Sequence, residues 1–216
     1  MTPQRASREL ERVCRLTPVI PVLTVEKVSH AVPLAKALLH GGLPVLEVTL
    51  RTSVALDVIR EMAQIDGVIV GAGTIINRKD AMDASEAGAQ FGVSPGAIDS
   101  VLTACEEAHL PLLAGAATAS ESMQLLERGY TVQKFFPAEA SGGIPMLKAI
   151  SKPFPKVNFC PTGGISLEKA KQYLKLSNTL CVAGSWLTPR KFLEKADWKG
   201  INALALQAST LTQKEP

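Results

Sequence analysis

The sequence has no CxxC pair and no cluster of histidines. Its four cysteines, Cys14, Cys105, Cys160 and Cys181, lie far apart, which supports neither a zinc site nor a disulfide framework. They read as reduced core thiols of a cytoplasmic protein. The three histidines, His30, His40 and His109, stand at no ligand spacing and fall in or beside predicted helices. No metal and no cofactor is expected. An excess of one charge is also lacking: 23 Lys and Arg against 20 Asp and Glu leave +3, and aromatics make up only 5% of the chain. The basic residues form no tracts and are not interleaved with aromatics, which argues against nucleic acid as a partner. No apolar run is long enough to span a bilayer, and the start, MTPQRASRELERVCRL, is charged and amphipathic with no apolar signal core. Neither membrane insertion nor secretion is expected. Small anionic ligands stay open, because a few local cations hold a phosphate or carboxylate without changing the overall balance.

What the chain has is apolar content. At 46% hydrophobic, its 216 residues suit one domain, 1–216, with a large core. Residues 5–16 read as a helix with Leu10, Val13 and Leu16 at helical spacing, lying outside the main repeat. From Pro18 short β-rich runs alternate with amphipathic stretches, the rhythm of βα units in a parallel sheet. The predicted strands are 19–24, 45–50, 68–71, 91–93, 112–114, the run into Pro137 that carries Lys134, then 157–160 and 179–183. Eight such units predict an α/β fold, a (β/α)8 TIM barrel with an extra N-terminal helix. The competing architecture is an open doubly wound sheet, disfavoured by the chain's length and by the lack of GxGxxG after the first strand. Only the first few residues and the tail 212–216 are expected to be loose.

The stretch TVQKFFPAE, residues 131–139, sets a lysine inside a strand. Strand side chains alternate, so Lys134 shares a face with Val132 and Phe136 and not with Gln133 and Phe135. A hydrated ammonium is a poor nucleophile; burial disfavours its charged form, which is how a lysine becomes able to attack a ketone. Lys134 is thus a candidate Schiff-base lysine. The plainer account lays its stem on apolar surface and puts its head in water.

Other strand ends bear on the choice. In VLEVTLRT, Glu47, Thr49 and Arg51 share the face opposite Leu46, Val48 and Leu50, which points a carboxylate, a hydroxyl and a guanidinium into a barrel. A Glu47–Arg51 ion pair would satisfy both charges, but buried pairs gain little over apolar packing. Function is the better account: an arginine fork suits a substrate carboxylate, and a nearby carboxyl shuttles protons. Arg51 near Lys134 would also help keep the amine neutral. Strand three ends in GAGT, where Gly71 and Gly73 permit close backbone approach and Thr74 offers a hydroxyl. PTGGIS follows strand seven and AGSW follows strand eight. Glycine-rich loops opening onto helix N-termini present N–H groups to an anion, and those two positions bind phosphate in many barrels. A phosphate grip, a carboxylate grip and a lysine between them fit a phosphorylated 2-keto acid.

At this point seven segments, HAVPLAKAL, EVTLRT, VGAGT, EAGAQFGVSPG, KFFPAE, FCPTGGIS and AGSWL, in order from His30 to Leu187, resemble the 2-keto-3-deoxy-6-phosphogluconate (KDPG) aldolases, also called 4-hydroxy-2-oxoglutarate (KHG) aldolases. The resemblance implies a (β/α)8 homotrimer using class I, metal-free aldol chemistry in the Entner–Doudoroff pathway. It sets the Schiff-base lysine on Lys134 and the acid/base glutamate on Glu47. It gives Arg51 and Thr74 to the pyruvyl carboxylate, Pro95 and Phe136 to the pocket around it, and Gly163, Gly164 and Ser185, with Thr162 beside them, to the phosphate. Ala114 of LPLLAGAAT stands where the family pattern leads one to expect proline, which adds backbone freedom at the end of strand five. Three alternatives stay open: the same aldol chemistry on 4-hydroxy-2-oxoglutarate or on the phosphogalactonate isomer, a phosphosugar isomerase or epimerase on the same barrel, and a non-catalytic phosphosugar-binding protein. Glu47 and Lys134 argue against the last, since binding alone needs no neutral amine.

Overall fold

The computed structural model describes residues 1–211, so the tail 212–216 lies outside the described residues. The first residues are not loose. The Thr2 hydroxyl accepts from the Arg5 N–H, Pro3 sits in the first turn where no donor is required, and the Met1 amine donates to the Glu106 carbonyl. Helix α1 (Pro3–Arg15) buries Ala6, Ser7, Leu10, Val13 and Cys14. Leu16, expected to cover apolar surface, is instead 46% exposed, because it falls at the C-cap where the helix lets go.

Eight strands follow: β1 (Val19–Leu23), β2 (Val45–Thr49), β3 (Ile69–Gly73), β4 (Phe91–Val93), β5 (Leu112–Ala116), β6 (Val132–Phe135), β7 (Asn158–Pro161) and β8 (Val182–Gly184). They pair in parallel in the order β7-β6-β5-β4-β3-β2-β1-β8. Between β7 and β8 the ring is joined by two single bridges, Phe159 with Thr179 and Thr162 with Ala183. The sheet is a nearly closed barrel and not an open one. Of the predicted run 179–183, Thr179 takes part only in a single bridge, and β8 begins at Val182. Ala114 lies inside β5, fully buried and in register with Gln133, so the strand continues past it to Ala116. An alanine keeps the N–H that a proline would remove from a ladder.

The surrounding helices are α2 (Ala31–His40), α3 (Ala55–Ala63), α4 (Arg78–Glu86), α5 (Asp99–Glu107), α6 (Ala119–Arg128), α7 (Gly143–Ser151), α8 (Leu167–Tyr173), α9 (Arg190–Glu194) and α10 (Trp198–Ser209). Their ends follow local rules: α6 opens on a Thr118–Glu121 capping box and stops at Gly129, whose φ of 107° a side chain would resist. Among the described residues no helix is long and apolar enough to cross a membrane.

Two apolar layers hold the molecule together. Leu46, Val48, Ala72 and Phe135 pack outward under the helices, while Ile20, Val45, Phe91, Leu113 and Val132 fill the interior. Leu10, Val13 and Cys14 of α1 join the interior group. Val45, Phe91 and Val132 are the first residues of their strands, so α1 closes the N-terminal mouth of the barrel. Ser7 fastens it there, donating to the Gly129 carbonyl at 3.1 Å and accepting from the Thr131 N–H at 3.0 Å. Cys181 and Cys160 meet nearby at 3.5 Å, and hydrogen bonds with Cys14 and Cys160, then burial, push the Cys181 thiol well up.

This placement predicts unequal costs along α1. Leu10→Ala should lower unfolding free energy by about 2–5 kcal/mol, the range for a buried leucine that leaves a cavity. Leu16→Ala should change it by less than about 0.5 kcal/mol. Equal denaturant midpoints for the two variants would mean that α1 does not plug the barrel.

Candidate active site

Alternation along two strands delivers the central pair. In β2, Val45 faces the interior while Leu46 and Val48 face the helices, so Glu47 points inward. In β6, Val132 faces the interior and Phe135 faces outward, with Gln133 donating to the Ser122 and Tyr130 carbonyls. Lys134 therefore points inward too. Its Nζ stands 3.6 Å from Glu47 Oε1, with side-chain exposures of 7% and 2%. The Phe136 ring centre lies 5.0 Å from the same Nζ. A buried ion pair contributes little net stability, yet each charge would be costly to leave alone, so this one is best explained by what it does.

Two glycines make room for it. A Cβ on Gly73 would lie 2.2 Å from Glu47 Oε1, so the carboxylate occupies the space of a missing side chain. Gly115, in register with Lys134, would put a Cβ 2.2 Å from the Pro95 carbonyl oxygen. Its bareness is what lets the loop after β4 lie across the lysine's neighbouring strand. Gly115 escaped the sequence reading, although a glycine inside a strand run is the usual sign of such an approach.

Arg51 departs from its expected position. β2 stops at Thr49, and Arg51 lies in the turn beyond, with its N–H on the Thr49 carbonyl at 2.8 Å and its side chain exposed. It does not share the interior face as a strand residue. The ion pair of Glu47 is with Lys134 and not with Arg51. Arg51 Nε donates instead to Thr74 Oγ1 at 3.1 Å. Thr74 has a φ of 66°, an arrangement that for a β-branched residue costs on the order of 1–3 kcal/mol. The Ile75 N–H, bonded to the Val93 carbonyl at 3.1 Å, helps hold it there. Thr49 is occupied elsewhere, donating to the Leu23 carbonyl at 2.9 Å.

The glycine loops lie side by side. The Thr162–Ala183 bridge joins the ends of β7 and β8, from which PTGGIS and AGSW depart. Gly163 and Gly164 have φ values of 104° and 74°, and among the described residues their N–H groups have no acceptor. Thr162 is buried, and Ser185 is exposed at the edge of a cleft of 340 Å³ that it shares with Thr24, Lys27, His30 and Arg190. That cleft meets the site at Ser185 without reaching Lys134 or Glu47. The loop after β8 does not open directly onto a helix: α9 starts only at Arg190, because Ser185 to Pro189 make an intervening turn. Of the histidines, His30 packs edge-on against Trp198 at 5.2 Å, and His40 and His109 are exposed at helix ends. Among the described residues no group of His, Cys, Asp and Glu could hold a metal ion.

A buried lysine facing a glutamate within the mouth of a (β/α)8 barrel, with unbonded loop N–H groups at the same rim, defines a protein equipped for amine–carbonyl chemistry on an anionic ligand. The KDPG and KHG aldolase family matches residues 10–204, and the chain belongs to that family. It is 49% identical over 199 residues to the 2-dehydro-3-deoxy-phosphogluconate aldolase of Dickeya dadantii (strain 3937), covering 92% of this chain and 93% of the relative. Among solved structures it is similar to the KDPG aldolase of Zymomonas mobilis ZM4 with 3-phosphoglycerate, at TM-score 0.92 and 45% identity over 96% of this chain and 98% of that one. It is similar also to the Legionella pneumophila KDPG aldolase with pyruvate captured as a covalent carbinolamine, at TM-score 0.90 and 44% identity over 93% and 98% of the two chains.

Proposed function

We propose that the chain, read as a single domain over 1–216, is a class I aldolase that cleaves KDPG to pyruvate and glyceraldehyde 3-phosphate through an imine on Lys134. The observation that carries this is the 3.6 Å approach of Lys134 Nζ to Glu47 Oε1, both side chains buried. Within the pair Glu47 takes a proton from the Lys134 ammonium, the freed amine adds to the C2 ketone, and Glu47 returns that proton to the carbinolamine hydroxyl, which leaves as water. The protonated imine is the electron sink. Glu47, through a water, takes the C4 hydroxyl proton, the C3–C4 bond breaks, and its electrons form an enamine as the aldehyde leaves. Protonation at C3 and hydrolysis release pyruvate and restore the amine. Arg51 and Thr74 hold the pyruvyl carboxylate, Pro95 and Phe136 border it, and Gly163, Gly164 and Ser185, with Thr162 beside them, take the phosphate.

The same steps without the phosphate grip convert 4-hydroxy-2-oxoglutarate to pyruvate and glyoxylate, which we assign as a second activity. A phosphogalactonate preference would reside in the C4 stereochemistry. The reading also makes the protein a cytoplasmic homotrimer of the Entner–Doudoroff pathway, as the family resemblance implies. Incubation with pyruvate, reduction by borohydride and peptide mass mapping is the direct test. An adduct on the Lys134 peptide is the expected result. A folded protein that yields none would instead be read as an isomerase or a binding protein.

A further inference from the structure

Glu139 belongs to the KFFPAE segment but has no part in the steps above. Its carboxylate accepts from the Tyr173 hydroxyl at 2.7 Å and pairs with Lys169 Nζ at 2.5 Å, both on α8. Its own N–H donates to the Gly163 carbonyl at 3.2 Å, next to the Ala138 N–H on the Thr162 carbonyl at 2.8 Å. A Cβ on Gly164 would lie 2.9 Å from Glu139 Cβ and Cγ, so the second glycine rests directly on the glutamate's stem. The Gly142 N–H returns to the Glu139 carbonyl at 3.3 Å, closing the loop after β6 on the same residue.

Glu139 thus lies in the loop that follows the strand carrying Lys134, and from there touches the loop that presents Gly163 and Gly164 and the helix α8 that follows it. Burial alone would raise its carboxyl, but hydrogen bonds from Lys169 and Tyr173 outweigh it and hold the group below the usual carboxylate range, ionised at neutral pH. Burial, then the bond to Glu139, pushes the Tyr173 phenol up, so it remains a donor.

We infer that Glu139, held by Tyr173 and Lys169, is a positioning residue that sets the Gly163–Gly164 loop at a fixed distance from Lys134 and thereby makes the site prefer phosphorylated 2-keto acids. The inference rests on the aldolase reading. Without the clamp the loop N–H groups still exist, but they no longer meet a phosphate whose far end is tethered to the lysine. Fixing such a geometry beforehand is where binding strength is gained.

The test compares the parent with Glu139→Gln and Tyr173→Phe on two reactions. One is cleavage of KDPG; the other is exchange of the pyruvate C3 protons in deuterated buffer, which uses the imine and enamine but no phosphate. KM for KDPG should rise by about tenfold, the equilibrium equivalent of one charge-assisted hydrogen bond. The exchange rate should stay within about twofold, and inhibition of cleavage by inorganic phosphate should weaken with the KM. An unmoved KM, or equal losses in cleavage and exchange, would overturn the role. Tyr173→Phe removes one hydroxyl and gives the same reading if Glu139→Gln fails to fold. Absence of exchange in the parent would defeat the aldolase reading itself, whereas normal exchange with an unmoved KM would defeat only the role of Glu139.

Discussion

Exchanging Lys134 for arginine should leave a folded protein whose turnover falls by at least on the order of a thousandfold, the scale of losing a covalent nucleophile. The argument turns on keeping the charge while removing the chemistry. Glu47 is 2% exposed, and a neutral residue at 134 would strand its carboxylate without a partner, confusing lost activity with lost stability. A guanidinium preserves the pair but stays protonated and cannot form an imine. A thermal melt shows whether the longer side chain is accommodated next to Phe136. Pyruvate and borohydride should then label the parent at Lys134 and leave the variant unlabelled. Turnover within about tenfold of the parent would exclude an imine at this position.

Glu47→Gln is expected to have the second-largest effect. An amide fills the same space against Gly73 and can still hydrogen-bond, but it can neither take nor give the proton. Cleavage should fall by about 10²- to 10⁴-fold, the contribution of a positioned acid–base group. The two variants should differ in trapping: with Lys134 intact, long incubation of Glu47→Gln with pyruvate should still yield a reduced adduct. Gly73→Ala provides a geometric control. Its Cβ would sit 2.2 Å from where Glu47 Oε1 lies, so it should displace the carboxylate and reproduce much of the loss without touching an ionisable group. A fully active Gly73→Ala would mean that the carboxylate works from another position.

How the sequence performed differs from element to element, for physical reasons. The βα rhythm is readable because apolar periodicity is local, and alternation within one strand is enough to set Lys134 on a face with Val132, though not to say that this face is the inner one. Alternation does not reach Arg51, because the strand stops at Thr49 and the arginine lies in the turn beyond it. The seam between β7 and β8 left no signal because it consists of two single bridges. α1 was placed outside the repeat, but its use as the barrel's lower plug follows from contacts with residues far along the chain. Gly115 and Glu139 look ordinary in the sequence; each gains its role from a neighbour on another loop.

The sequence by itself determined which side chains could face the barrel interior and which strand ends carry polar residues and glycine-rich turns, because strand alternation and turn chemistry act over a few residues. Only the tertiary structure decided that Glu47 and Lys134 meet at 3.6 Å, that Arg51 turns to Thr74, and that Glu139 clamps the glycine loop. Those outcomes depend on how far the sheet has curved by the time β6 faces β2, and curvature is a property of all eight strands together.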